Sequence, residues 1–89
     1  MIIGINTSYE FQGKSYHIQI EDLGEHQKNM EIRVYNQGHL VWQKRIPYQP
    51  NLLDIESPIE LANGVKFQMD KLLATVKAGI DQGKITANS

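Results

Sequence analysis

The sequence predicts an α+β fold, a four-stranded antiparallel meander sheet packed against one long C-terminal helix. Two observations lead to this prediction. Within residues 2–47, apolar residues occupy every second position in segments that glycine-containing turns interrupt, which is typical of β-hairpins. Within residues 57–82, apolar residues recur at intervals of three and four, which is typical of a helix with one buried face. We expect residues 1–89 to form a single domain.

The first predicted hairpin turns at Gln12-Gly13, a pair suited to a two-residue turn. The register that follows pairs Phe11 with Lys14. It places three pairs on one face of the sheet, namely Tyr9 with Tyr16, Thr7 with Ile18, and Ile5 with Ile20. The opposite face then carries the polar residues Ser8, His17, Gln19 and Glu21. This alternation predicts a sheet with one buried side.

The second predicted hairpin turns at residues 36–38, a three-residue loop with glycine in the left-handed position. This loop pairs Tyr35 with His39, and it places Leu40 opposite Val34 and Trp42 opposite Ile32. A two-residue turn would shift the register, and we prefer the longer loop because it groups more apolar side chains. The solvent-facing side would then present Glu31, Arg33, Tyr35, Val41, Gln43 and Arg45.

The connections and the helix have their own signals. Residues 21–29 are polar and predict an exposed loop, in which the Asp22 carboxylate accepts backbone N–H groups. Pro47 and Pro50 predict an extended, non-helical crossing within a linker at residues 47–56. The segment Ser57-Pro58-Ile59-Glu60 has the form of a capping box, and Gly83 is suited to end the helix. We expect residues 86–89 to be frayed.

Residues suited to catalysis or metal binding are sparse. The chain has no cysteine, and its three histidines are not spaced as metal ligands. Its serines lack a matching base and acid, and no phosphate-binding glycine motif is present. The sequence therefore predicts no catalytic residue, no metal site and no cofactor. A small enzyme is the alternative.

The net charge and the apolar runs of the sequence indicate which kinds of partner and which compartment to expect. Nine basic and ten acidic residues give a formal net charge of −1, whereas nucleic-acid-binding domains usually have a basic excess. No apolar run approaches the ~18 residues needed to span a bilayer. The N-terminus lacks the basic segment of a signal peptide. We therefore expect a cytoplasmic protein without a membrane span, and a protein partner rather than a nucleic acid.

One candidate binding surface lies on the back of the helix. Phe67 is about 200° from Val65 around the helix axis, so it cannot join the main apolar stripe. With Lys71, Ala74 and Ala78 it forms a second strip, which would suit a protein partner or a symmetric homodimer. The alternative is that the linker residues Leu52, Leu53 and Ile55 cover Phe67.

The other candidate surface is the solvent face of the sheet. Arg33, Tyr35 and Arg45 combine the aromatic and arginine side chains that are enriched at protein interfaces. Two alternatives are an ordinary solvated face on which Arg33 pairs with Glu31, and an RNA-binding face that uses Tyr35. Lys44 and Arg45 on the last strand would discourage further strand pairing.

A family resemblance covers most of the chain. It is carried by Phe11-x-Gly13-Lys14-x-Tyr16-His17-Ile18-Gln19-x-Glu21-Asp22-Leu23-Gly24, then by Gly38, Lys44-Arg45 and Tyr48 ahead of one long helix. In these features the chain resembles the RomX-type polarity and motility proteins of bacteria. The resemblance implies binding to the Ras-like GTPase MglA and to the response-regulator protein RomR, with promotion of nucleotide exchange. The sequence thus predicts a non-enzymatic protein-interaction module.

Overall fold

Four strands pair antiparallel in chain order in the computed structural model, which describes residues 4–24 and 26–86. The strands are β1 (Gly4–Phe11), β2 (Lys14–Asp22), β3 (Asn29–Asn36) and β4 (His39–Pro47). A short 3-10 helix (Pro50–Leu52) leads to the helix α1 (Pro58–Asp81). The predicted α+β fold, a four-stranded meander with one C-terminal helix, is confirmed. Of residues 86–89, which were predicted to be frayed, residues 87–89 lie outside the described residues.

The first hairpin has the predicted register. Phe11 pairs with Lys14, Tyr9 with Tyr16, and Ile5 with Ile20. Both turn residues, Gln12 and Gly13, have positive φ angles of 51° and 77°, which suits a two-residue turn that matches the twist of the strands. The pairing places Tyr16, Ile18 and Ile20 in the core. We call the sheet face that carries them, and that α1 covers, the inner face.

The predicted register of the second hairpin is wrong. The turn has two residues, Gln37 and Gly38, both at positive φ, so that Asn36 pairs with His39. A bulge follows, because Tyr35 pairs with Leu40 whereas Val34 pairs with Trp42. Sequence reasoning assigned the extra residue to the turn, but the chain accommodates it inside β4.

This bulge changes which side chains share a face. Leu40 was predicted on the inner face, but as the partner of Tyr35 it lies on the outer face and is 49% exposed. Val41 was predicted on the outer face, yet it packs against the core. Lys44 lies opposite Ile32 and therefore on the inner face. A charged residue thus stands beside the apolar core at the edge of the sheet.

The connection at residues 21–29 is shorter and less exposed than predicted. Strand β2 extends to Asp22 and β3 begins at Asn29, while Leu23 and Gly24 are half-buried. The Leu23 N–H donates to the Asn29 carbonyl over 3.0 Å, which closes the turn. The role predicted for Asp22 is confirmed, because its carboxylate accepts the Gly24 N–H at 3.2 Å.

Both ends of α1 follow their sequence signals. Ser57 is the N-cap residue, and its hydroxyl accepts the Glu60 N–H at 3.4 Å. At the other end Gly83 has a φ of 74°, and the Lys84 N–H donates to the Gly79 carbonyl. These contacts satisfy backbone groups that a helix end leaves without partners. No helix in the described part of the chain is long and apolar enough to cross a membrane.

The linker before α1 is not the extended crossing that its prolines predicted. Residues 50–52 form a 3-10 turn, because proline fits the first position of a helix as well as an extended segment. The buried side chain of Gln68, 3% exposed, fastens this linker to α1. Its amide donates to the Pro47 carbonyl and accepts the Gln49 N–H, each at 3.0 Å.

Helix α1 lies over one side of the inner face. Its backbone approaches β1, β2 and the 3-10 helix, and among the described residues it does not approach β3 or β4. Tyr9 on β1 also donates a hydrogen bond to Asp81 at the end of α1. The residues buried between the layers include Ile18, Ile20, Met30, Ile32, Val34, Val65, Met69, Val76 and Ile80. Within the described residues, no helix backbone therefore approaches the β4 side of the inner face.

Candidate functional site

A groove runs between α1 and the inner side of β4. Its volume is about 430 Å³, and it opens to solvent. The sheet contributes Ile32, Trp42, Lys44 and Ile46, α1 contributes Leu72, Thr75, Val76, Ala78 and Gly79, and the segment that follows contributes Gln82, Lys84 and Ile85. We call this feature the β4 groove. Its floor is apolar, and Trp42 and Ile46 on that floor are only half-buried.

The charges that line the β4 groove have one sign. Lys44 and Lys84 line it, and no aspartate or glutamate does. Both lysines are exposed, and neither has an ion-pair partner within residues 4–24 and 26–86. Lys44 belongs to the groove because it lies between Trp42 and Ile46 in the alternation of β4, on the inner face of the sheet. An apolar floor between unpaired cations is an arrangement that can receive an amphipathic, acidic ligand.

The outer face of the sheet has a different character. Cross-strand pairing places its side chains in rows, one consisting of Glu21, Glu31 and Arg45, the next of Gln19, Arg33 and Gln43, and the third of His17, Tyr35 and Leu40. The structure thus brings the predicted residues Arg33, Tyr35 and Arg45 together on one face. Charged residues cluster at one end of this face and apolar residues at the other.

Glu31 is the centre of the charged rows. It is 4% exposed, and its carboxylate accepts hydrogen bonds from Arg45, with Nε at 3.0 Å, and from Arg33. The Arg45 hydrogen bond lowers the pKa of Glu31 below its usual value, against an opposing effect of burial, and Arg33 and Gln43 lower it further. Glu31 in turn raises the pKa of Arg33 by hydrogen bonding. Both arginines are therefore already engaged within the fold, as the alternative of a solvated, self-paired face anticipated.

The back of α1 remains open. Phe67 is 61% exposed, and the Lys71 ammonium lies 4.5 Å from the centre of its ring. The linker does not cover Phe67. Leu52 instead packs against α1 at Gly64, where a Cβ atom would stand 2.5 Å from its Cδ2. The predicted pair of Phe67 and Lys71 is therefore accessible.

The two predicted surfaces lie on opposite sides of the molecule. The sheet presents Arg33, Tyr35 and Arg45 away from α1, whereas α1 presents Phe67 and Lys71 away from the sheet. A single flat partner surface could not contact both. The β4 groove lies between these surfaces, and Ala78 of the helix strip lines its wall. Sequence reasoning missed the groove, although Trp42 near Ile46 on an edge strand was a usable signal.

Titratable groups elsewhere are dispersed. His17 lies on the outer face, His26 is exposed in a turn, and His39 is exposed at the start of β4. Across the described residues, no group of three or more histidine, cysteine or acidic side chains could hold a metal ion. A second depression, of about 260 Å³, lies beside Tyr48, whose hydroxyl donates to Asp22.

No family model matches this chain, and searches of curated proteins and of solved structures gave no significant match.

Proposed function

We propose that the chain is a non-enzymatic protein-interaction module that binds its partner through the β4 groove. The supporting observation is the uncovered apolar floor, on which Trp42 and Ile46 are half-buried beside the fully buried inner side chains of β3. A domain of this size has little apolar surface to spare, so a contiguous apolar groove at a sheet edge is typical of a binding site.

The other two surfaces give weaker support. On the outer face, Arg33 and Arg45 already bind Glu31, and a partner would have to compete with that pairing. On the back of α1, Phe67 offers one exposed ring, partly covered by Lys71. Both are secondary contact surfaces in this proposal. The acidic residues Glu21 and Glu31 among the arginines also make the outer face a poor platform for RNA.

The resemblance to RomX-type proteins gives the proposal a specific form. In this form the module is an adaptor or nucleotide-exchange regulator of a Ras-like GTPase, acting with a response-regulator-type scaffold in bacterial polarity or motility. Such a regulator needs no catalytic residue of its own. It shifts its partner toward one nucleotide state by binding that state more tightly than the other.

The test compares variants of the three surfaces in a binding assay with a purified MglA-type GTPase. Thr75→Glu places a carboxylate at an exposed position on the groove wall, Phe67→Ser alters the back of α1, and Tyr35→Ser alters the outer face. Arg33→Glu is a poor probe, because it would set a second carboxylate against buried Glu31. Asn63→Glu, exposed on α1 outside the groove, is the matched control for Thr75→Glu.

We expect the wild-type chain to bind the GTPase and to accelerate release of a fluorescent GDP analogue. Thr75→Glu should abolish both effects, and Asn63→Glu should change neither. If the wild-type chain binds and Thr75→Glu binds equally well, the groove is not the interface. If the wild-type chain does not bind any nucleotide state, the GTPase form of the proposal is wrong.

A further inference from the structure

We infer that the β4 groove receives an amphipathic helix of a partner protein, with acidic residues along its edges, packed beside α1 on the inner face. This inference rests on the proposed function and names the chemistry of its ligand. The sheet, the groove wall and the charges each contribute a separate argument.

The width of the sheet leaves room for a second helix. Neighbouring strands are about 4.8 Å apart, so β4 lies roughly 10 Å from β2. Packed helices lie about 8–10 Å apart, axis to axis. Since the backbone of α1 approaches β1 and β2, and the inner side chains of β3 are already buried, a helix beside α1 would lie along β4. The groove is therefore at the position that a second covering helix would occupy in a two-layer fold.

The groove wall suits close helix packing. The C-terminal half of α1 lines the groove with residues that include Thr75, Ala78 and Gly79, which are small. Small side chains let a neighbouring helix approach closely, while Trp42 and Ile46 supply an apolar floor. The complementary ligand has apolar residues at helical positions i, i+3, i+4 and i+7, as helices bound in grooves do.

The charges select an acidic partner over a second copy of this chain. Lys44 and Lys84 line the groove without an acidic residue, so glutamates flanking the apolar stripe of the ligand would pair with both. The exposed aromatic of a second copy, Phe67, carries Lys71 against its ring and would bring a third cation to the same place. Homodimerisation through the groove is therefore disfavoured.

The edge of β4 disfavours addition of a strand. A bulge interrupts the pairing of β4 with β3, and Lys44, Arg45 and Pro47 lie on β4 itself. Bulges, charged side chains and prolines are the features by which edge strands resist further pairing. A ligand that packs on the inner face of the strand needs none of the edge hydrogen bonds.

The test uses designed helical peptides of about 18 residues, roughly five turns. One peptide carries a leucine and alanine stripe flanked by glutamates, and its matched control carries lysines in place of the glutamates. Neither contains tryptophan, so Trp42, the single tryptophan of the chain, reports on the groove through its fluorescence. The full chain is titrated with each peptide, and sedimentation measures its oligomeric state.

We expect the glutamate peptide to bind with a blue shift of Trp42 emission. The affinity of the lysine peptide should be lower by a factor of at least about ten. The double variant Lys44→Glu with Lys84→Glu should reverse this preference while leaving the helical circular dichroism unchanged. Equal binding of the two peptides, no binding of either, or a dimer that buries Trp42 would each overturn the inference. If the GTPase still binds in a Thr75-dependent manner, the proposed function survives such a failure.

Discussion

The inner sheet face has a closed half, on the central strands β2 and β3, and an open half at β4. On the central strands, Ile18 and Val34 are 0% exposed. On β4, Trp42 and Ile46 are half-buried and Lys44 stands among them. The comparison shows that one helix buries the centre of this four-stranded sheet and leaves the edge strand β4 incompletely covered. The open half is where this chain can exchange solvent for a partner.

The largest expected difference between the halves concerns a matched pair of isoleucines. Ile18→Ala removes a fully buried side chain and should lower the free energy of unfolding by about 2–5 kcal/mol, through lost burial and a residual cavity. Ile46→Ala removes a half-buried one and should cost roughly 1 kcal/mol. Urea unfolding measures both. Equal losses would mean that the β4 half is as closed as the other half.

The next effect tests how the linker fixes α1 beside the groove. Gln68→Met keeps the length of the side chain but removes its hydrogen bonds to the backbone of Pro47 and Gln49. We expect a loss of about 1–3 kcal/mol in unfolding free energy, because two part-buried backbone groups lose their partners. Asn63→Met, at an exposed position on α1, should change stability by under about 0.5 kcal/mol. A loss at residue 63 as large as that at residue 68 would contradict this role.

A further effect on stability is expected on the outer face, where Glu31 pairs with Arg33 and Arg45. Glu31→Gln weakens the hydrogen bonds from Arg33 and Arg45 and should cost about 1–3 kcal/mol at neutral pH. Because the pKa of Glu31 in the folded chain lies below its ordinary 4.5, this contribution is fully present above that pH. It should disappear as the pH falls through the folded-state pKa.

Unfolding of the wild type and of Glu31→Gln between pH 7 and pH 2 measures this dependence. The matched control is Glu21→Gln, whose carboxylate is more exposed and lies 3.7 Å from Arg33. It should have a much smaller effect that depends less on pH. A difference between wild type and Glu31→Gln that stays constant over the whole pH range would show that the charge of Glu31 contributes nothing.

Local sequence patterns accounted for most of the fold. The Gln12-Gly13 turn fixed the first register, and the cap at Ser57 and the glycine at 83 bounded α1. The second register could not be predicted, because one extra residue can enter either a turn or a bulge, and both choices place Trp42 on the inner face. That single choice moved Leu40 outward and brought Val41 against the core.

The candidate site was less accessible to sequence reasoning. The pattern placed Arg33, Tyr35 and Arg45 on one face and exposed Phe67, and the structure has both arrangements. The β4 groove depends on the lateral position of α1 over the sheet. The periodicity of apolar residues along the sequence does not predict that position. The burial of Glu31 and Gln68 also follows from tertiary packing. Each is a polar residue, and the pattern of its own strand or helix does not predict that it is buried.

The most direct test of the open half is acrylamide quenching of Trp42 fluorescence. In the free chain we expect efficient quenching, because the indole is half-exposed on the groove floor. Saturation with the glutamate-flanked helical peptide should reduce quenching severalfold, since the ligand covers that floor. A Trp42 that is shielded in the free chain, or one whose quenching does not change when the peptide is bound, would contradict the account.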